Sequence, residues 1–289
     1  KWTDGARVDM SDEMMHLTLN IALWSFFGSA PKDAADRVSK SMQTLVKLFP
    51  LAQLPLSESV RSLFPSFSEA RSSLGAVTEA LLQNPQSEHA KRALVNILKE
   101  NNNGQFTDEQ IHAHVLTFLL AGHETTALLL AWCWDMLAHH PEVQMKLQTE
   151  VDSILGDRFP TPEDIQKLAY TRMIVKETLR IRPPAWAMVR QAIHDCEIGG
   201  QHIPAGSTVL MSQWVTHHDS RFYDAPLLFR PERWSGLEGH SLPRYAYFPF
   251  GGGNRICIGE HFAMTEAITV LAMIARRWTI SPTQSTLAI

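Results

Sequence analysis

Apolar residues recur every three or four positions through the first two thirds of the chain, beginning with Met10, Met14, Leu17, Ile21 and Trp24. That is the spacing of one helical face, with Ser11 and Asp12 as candidate caps and Gly28 and Pro31 as its end. Prolines and serines from Pro50 to Pro65 predict a loop or short helices, and helical spacing resumes near Ser68 and again from Ser87 to Lys99. The strongest helix starts at Thr107, where Thr-Asp-Glu-Gln supplies a capping oxygen and a reciprocal Gln110, and it stops before Pro141. Two more helices are expected, from Glu142 to Leu155 and from Asp164 to Ile181, the second closed by Arg182-Pro183-Pro184. After that, short alternating runs broken by Gly-Gly and Pro-Ala-Gly predict a small sheet, and a last helix is expected from about Gly259 to Arg276.

The fold class is therefore mainly α with a small β region (α+β): 1–185 mainly helical, 186–245 a small sheet region, 246–278 a cysteine loop and its following helix. With 289 residues, 45% hydrophobic and 19% charged, the chain can bury a substantial core. A formal net charge of -4 gives no reason to expect nucleic acid as a partner. Cys133, Cys196 and Cys257 form no CxxC pair, so neither a disulfide framework nor a zinc ribbon is expected. The apolar stretch from Leu17 to Phe27 is too short to cross a bilayer, and no membrane segment is expected in this chain. The opening residues include no initiator methionine, so an upstream segment is expected to be missing.

Three stretches carry chemistry. "FPFGGGNRICIG", Phe248 to Gly259, places a thiol after an arginine in a loop whose glycines let the backbone pass close to something. "AGHETTA", Ala121 to Ala127, puts glycine and paired threonines inside the strongest helix, where they are poor helix formers. There Thr125 can turn its hydroxyl to the Ala121 carbonyl and loosen the ladder, beside the ionisable Glu124. "KETLRIRPP" sets Glu177 and Arg180 three apart on one helix face, and "FRPERW" adds Arg233. Each alone has a plainer reading: an inert cysteine, a kinked helix, an ion pair worth about 0.2–0.5 kcal/mol. A zinc protease H-E-x-x-H is excluded because position 127 is alanine, and the other histidines read as surface or satisfied core residues.

Taken together and in this order, the motifs resemble the cytochrome P450 family, and the resemblance covers nearly the whole chain. It implies a truncated cytochrome P450 fold, a single partial domain over 1–289 that lacks the N-terminal region and the last C-terminal strands. It implies haem b (iron protoporphyrin IX) with Cys257 as thiolate ligand to the iron, in a loop formed by Phe250, Gly251, Arg255 and Gly259, where backbone N–H groups and the next helix's positive end favour the anion. Arg255 and Arg190 would meet the propionates. Thr125 would guide protons to bound dioxygen and Glu124 would feed them, with Ala121 and Gly122 small to admit porphyrin and substrate. Glu177, Arg180 and Arg233 would form a buried bracing network; Trp234 stands where the family often has phenylalanine. Phe118, Leu119, Ala185, Trp186 and Met188 would line an apolar substrate pocket, with core packing the competing reading for each.

The activity implied is insertion of one atom of O2 into an apolar substrate, a fatty acid or similar chain. Electrons would come from NAD(P)H through a separate reductase or ferredoxin docking near Arg244, Arg255 and His261. A cytoplasmic location follows, or membrane anchoring through a missing N-terminal segment. The alternatives are a haem-binding but inactive fragment and a cofactor-free helical interaction module.

Overall fold

Asp9, two residues earlier than the sequence suggests, caps the first helix: its carboxylate accepts from the Ser11 N–H at 2.9 Å and the Asp12 N–H at 3.2 Å. The helix, α1, spans Met10–Phe27 and ends where Gly28 takes a left-handed conformation (φ 74°) and donates its N–H to the Trp24 carbonyl. α1 is apolar almost all round, so spacing alone could not choose its buried face. That face carries Met14, Thr18, Leu19, Leu23 and Phe27, whereas Trp24 is exposed.

The computed structural model describes residues 2–31, 34–42, 44, 65–83, 92–236 and 242–283. The loop expected from Pro50 to Pro65 and the helix start expected at Ser87 lie outside them, apart from Pro65, which opens a helix. The chain divides into two compact units, Val8–Ala127 and Lys1–Arg7 with Leu128–Ile289.

The first unit holds α1, a helical stretch at 34–42, α2 (Pro65–Gln83), α3 (Leu94–Glu100) and the start of α4 (Asp108–His139). α4 opens with the expected reciprocal cap, Gln110 Oε1 accepting from the Thr107 N–H at 2.9 Å and Thr107 Oγ1 from the Gln110 N–H at 3.2 Å. Leu19, Leu23, Val38, Leu74, Val77, Ile111, Val115 and Leu119 form one buried cluster. By length and mean hydropathy (1.4), α4 is the one described helix that could cross a membrane, but its residues in this cluster are those of a core helix.

In the second unit α5 (Pro141–Leu155), α6 (Pro162–Lys167), α7 (Ala169–Ile181) and the last helix pack together. The helix expected from Asp164 to Ile181 is broken at Leu168 (φ -73°, ψ 66°). The break is stabilised from both sides. Arg158 pairs bidentately with Asp164 and holds its carboxyl well below the usual carboxylate range, while Asp164 Oδ2 accepts from the Thr161 N–H at 2.9 Å. Glu150 accepts from the backbone N–H groups of Tyr170 (2.6 Å) and Thr171 (2.9 Å), which would otherwise be orphaned at a helix start.

Four short strands follow: β1 (Met188–Gln191) pairs antiparallel with β4 (Thr208–Met211), and β2 (Cys196–Ile198) with β3 (Gln201–Ile203), as two separate ribbons. Most of their residues are exposed, including Val189, Ile198 and Leu210. α8 (Gln213–His217) leads towards a 3₁₀ turn, Pro231–Trp234, that packs on α7. α9 (Glu260–Ala275) ends the described fold close to the expected bounds.

α9 buries one acid, Glu266, whose Oε1 has no hydrogen-bond partner among the described residues. Burial pushes its pKa up to about 8. The folded chain therefore keeps this proton through a pH range in which the unfolded chain has lost it, so stability falls as pH rises from about 4.5 to 8. Glu266→Gln keeps the shape and removes the ionisation. It is expected to flatten that fall, by an order of 3–5 kcal/mol at most, which urea midpoints at pH 5 and pH 8 would measure.

Candidate active site

The firmest part of the site is a buried carboxylate. Glu177 and Arg180 lie on one face of α7, both fully buried, and Arg233 reaches them from the Pro231–Trp234 turn. Glu177 accepts from Arg180 Nη2 (2.9 Å) and Nε (3.0 Å), Arg233 Nε (2.8 Å), the Arg230 N–H (3.0 Å) and Trp234 Nε1 (2.9 Å). Further guanidinium protons go to carbonyls: Arg180 donates to His217, Pro226 and Leu228, and Arg233 to Asp224, Ala225 and Leu228. Two cations and one anion are thus held dry with nearly all of their hydrogen-bonding capacity used, the condition under which buried charge is tolerated.

This cluster reaches the cysteine loop through side chains around its root. Tyr223 lies under the Arg180 guanidinium and donates its hydroxyl to the Ala246 carbonyl at 3.0 Å. Tyr247 donates its hydroxyl to the Lys176 carbonyl (3.1 Å) and packs against Trp234, with ring centroids 4.5 Å apart. His217, fully buried, stacks on Tyr247 (5.2 Å, 28°), and its Nε2 accepts from the Phe248 N–H at 3.0 Å. Burial pushes the His217 pKa down to about 4, helped by the nearby Arg180 charge. The ring is neutral at pH 7, so its proton sits on Nδ1 and Nε2 is free to accept.

From this root the chain doubles back. Gly251 (φ 76°) donates to the Phe248 carbonyl, Ile256 to Gly253 across a short 3₁₀ turn, and Cys257 to the Phe250 carbonyl at 2.9 Å. A side chain at Gly251 would be strained by its φ and would stand 3.2 Å from Met188 Cε, so the start of β1 seats directly on the loop. A Cβ at Gly252 would lie 2.5 Å from the Tyr245 ring. Cys257 is a free, exposed thiol, flanked by the exposed apolar side chains of Ile256, Ile258 and Phe262 and followed at once by α9. Gly259 lies beside the sulfur: a Cβ there would be 3.8 Å from Sγ.

In the first unit, the expected bond of Thr125 to Ala121 is present: Oγ1 donates to the carbonyl at 2.8 Å, and Thr126 does the same to Gly122 at 2.9 Å. Both lie within one continuous α-helix. Thr18 of α1 ties the segment down by donating to the His123 carbonyl at 3.0 Å. Ala121, Thr125 and Leu128 remain exposed on one side of α4, and Glu124 is partly buried beside His123, whose pKa burial lowers.

A family model described as Cytochrome P450 matches residues 4–288. The chain belongs to the cytochrome P450 family. Among its relatives, cyclooctatin synthase and cyclooctat-9-en-7-ol 5-monooxygenase of Streptomyces melanosporofaciens are 35% and 32% identical, each over 99% of this chain. Pentalenene oxygenase of Streptomyces avermitilis is 30% identical over 97% of this chain. The chain spans 64% of the length of each of these relatives. A crystal structure of a mutant cytochrome P450 heme domain superposes with a TM-score of 0.81 at 26% identity, covering 94% of this chain and 62% of that one.

For a P450, the donor set around the loop is apt. The loop offers one soft donor, the free and exposed Cys257 sulfur, a ligand type that haem iron accepts. The exposed isoleucines beside it suit a flat apolar macrocycle better than water. Arg255 and Arg190, expected at the propionates, are both exposed; Arg190 bonds only the neighbouring Val189 carbonyl among the described residues. The pocket residues divide. Ala185 and Trp186 are exposed, Phe118 is partly buried and Met188 packs on Gly251, but Leu119 is fully buried in the core of the first unit, because α4 turns that position toward α1 and α2. Gly122 touches α1, a Cβ there lying 3.7 Å from Phe26, so part of its smallness serves helix packing.

Two participants escape the sequence reading. Trp234 replaces a purely apolar ring with one whose N–H enters the Glu177 cluster, and an indole in a run already rich in arginine gives that away only once Glu177 is seen as buried. His217 belongs to an adjacent histidine pair, a pattern that carries no spacing signal for either packing or ligation.

Proposed function

We propose that the protein carrying this chain is a haem-thiolate monooxygenase that inserts one oxygen atom from O2 into an apolar substrate. The observation that carries it is the exposed Cys257 thiol at the tip of a glycine loop whose root rests on the buried Glu177 cluster. When bound, haem b supplies the activation of dioxygen. Cys257, as thiolate, would hold the iron, and Arg255 and Arg190, both exposed, would offer guanidinium groups to the cofactor's carboxylates. Thr125, whose exposed hydroxyl donates to the Ala121 carbonyl, would serve as the proton-donating hydroxyl, with Glu124 one residue away as the acid that resupplies it.

The substrate class favoured is a cyclic terpene-type hydrocarbon rather than a linear fatty acid, on the strength of relatives named for cyclooctat-9-en-7-ol and pentalenene. Electrons from NAD(P)H would arrive through a separate reductase or ferredoxin, and a cytoplasmic location fits the Streptomyces relatives.

The test is the difference spectrum of the haem-loaded, reduced chain with carbon monoxide. A strongly red-shifted band is expected; a colourless protein, or a band typical of imidazole or neutral thiol ligation, would overturn the reading. Thr125→Val, which keeps the branched shape and removes the hydroxyl, is expected to leave that band in place. Coupled oxidation per NAD(P)H consumed should fall by about a hundredfold, the low end of what a positioned proton donor contributes.

A further inference from the structure

The loop that presents Cys257 has few anchors of its own, and one of them comes from a residue with no place in the proposed chemistry. The Phe248 N–H sits at the loop root, next to the turn that Gly251 closes and two residues before Phe250, whose carbonyl receives the Cys257 N–H. Its acceptor is not backbone. It is Nε2 of His217, at 3.0 Å.

The same residue is tied to the buried cluster through its main chain, since Arg180 Nη1 donates to the His217 carbonyl at 2.8 Å. Its ring cannot swing away, because Tyr247 stacks on one side and the Phe248 ring meets it edge-on with centroids 5.4 Å apart. A side chain chosen only to fill this space would be apolar; imidazole instead brings two polar nitrogens out of water, at a cost in desolvation. What the imidazole alone supplies is the acceptor facing Phe248.

We propose that His217 is a positioning residue for the thiolate: by accepting from the Phe248 N–H while its carbonyl is held by Arg180, it fixes the loop root and so the direction in which Cys257 presents its sulfur. This rests on the haem-thiolate reading for its consequence, but not for its geometry. Glu177 and Arg180 thereby act on the cysteine through one imidazole as well as through general packing.

Two variants separate the acceptor from the bulk. His217→Phe keeps an aromatic ring against Tyr247 and turns a carbon toward the Phe248 N–H. His217→Gln places an amide oxygen at about the reach of Nε2. Each is read twice, by hydrogen exchange at the Phe248 amide in the chain without haem, and by the reduced carbon monoxide spectrum of the chain with it. The wild type and His217→Gln are expected to show a protected amide and the red-shifted band. His217→Phe is expected to exchange at least about tenfold faster at Phe248 and to move most of its haem to the band of neutral thiol or imidazole ligation.

A His217→Phe chain that folds and keeps the full red-shifted band overturns the proposal, whether or not its amide exchanges faster. If that variant does not fold, His217→Asn, whose shorter amide withdraws from Phe248, takes its place with the same two readings. Absence of the red-shifted band in the wild type would sink the haem-thiolate reading instead; amide exchange then decides by itself whether His217 holds the loop.

Discussion

Glu177→Gln is expected to cost the chain about 3–5 kcal/mol, the loss seen when one member of a buried ion cluster is neutralised and its partners are left in place. Both carboxylate oxygens are in use, receiving donors from Arg180, Arg233, Arg230 and Trp234. Glutamine offers one acceptor oxygen, and its NH2 group would face donors. Arg180 and Arg233 would then keep their charges in a dry interior without an anion. Against a typical total of about 5–15 kcal/mol, this is enough to unfold a marginal domain. Urea unfolding measures it directly, and the loss should persist in high salt because buried charges are poorly screened. A variant within about 1 kcal/mol of wild type would show that the cluster is open to water.

Cys257→Ala is expected to have the opposite profile: no red-shifted carbon monoxide band at all, and stability within about 0.5 kcal/mol of wild type, as for an exposed side chain with no packing role. The other cysteines serve as controls. Cys133 is buried, which pushes its thiol up to about 12, so it cannot supply a thiolate at neutral pH. Cys196 is exposed at the start of β2, so Cys196→Ala should keep the band. A red-shifted band surviving in Cys257→Ala would mean that the ligand has been misassigned.

How far the sequence could be read depended on whether a local rule settled the question. The Thr107–Gln110 cap and the Gly28 stop are local hydrogen-bonding rules, and both ends came out where the residues indicate. The break at Leu168 could not be seen, because leucine is a good helix former and the apolar spacing runs through it; Glu150, twenty residues away in α5, is what makes the restart possible. The buried face of α1 could not be picked out from spacing, because apolar residues lie on more than one side of it.

The site divides the same way. Cys257, Glu177, Arg180 and Arg233 were legible because their spacings match a known family, and the last three do meet. His217 and Glu266 were not, since nothing in a histidine pair or a lone glutamate on a helix announces burial, which is decided by neighbours distant in sequence.

The two β ribbons bear on how the chain behaves in a tube. Among the described residues each strand has one ladder partner, leaving an outer edge without a neighbouring strand, near the exposed Val189, Ile198 and Leu210. Such edges recruit strands from any neighbour, including another copy. Association is therefore expected to rise with protein concentration, and a lysine placed at Val189 or Leu210 is expected to reduce it.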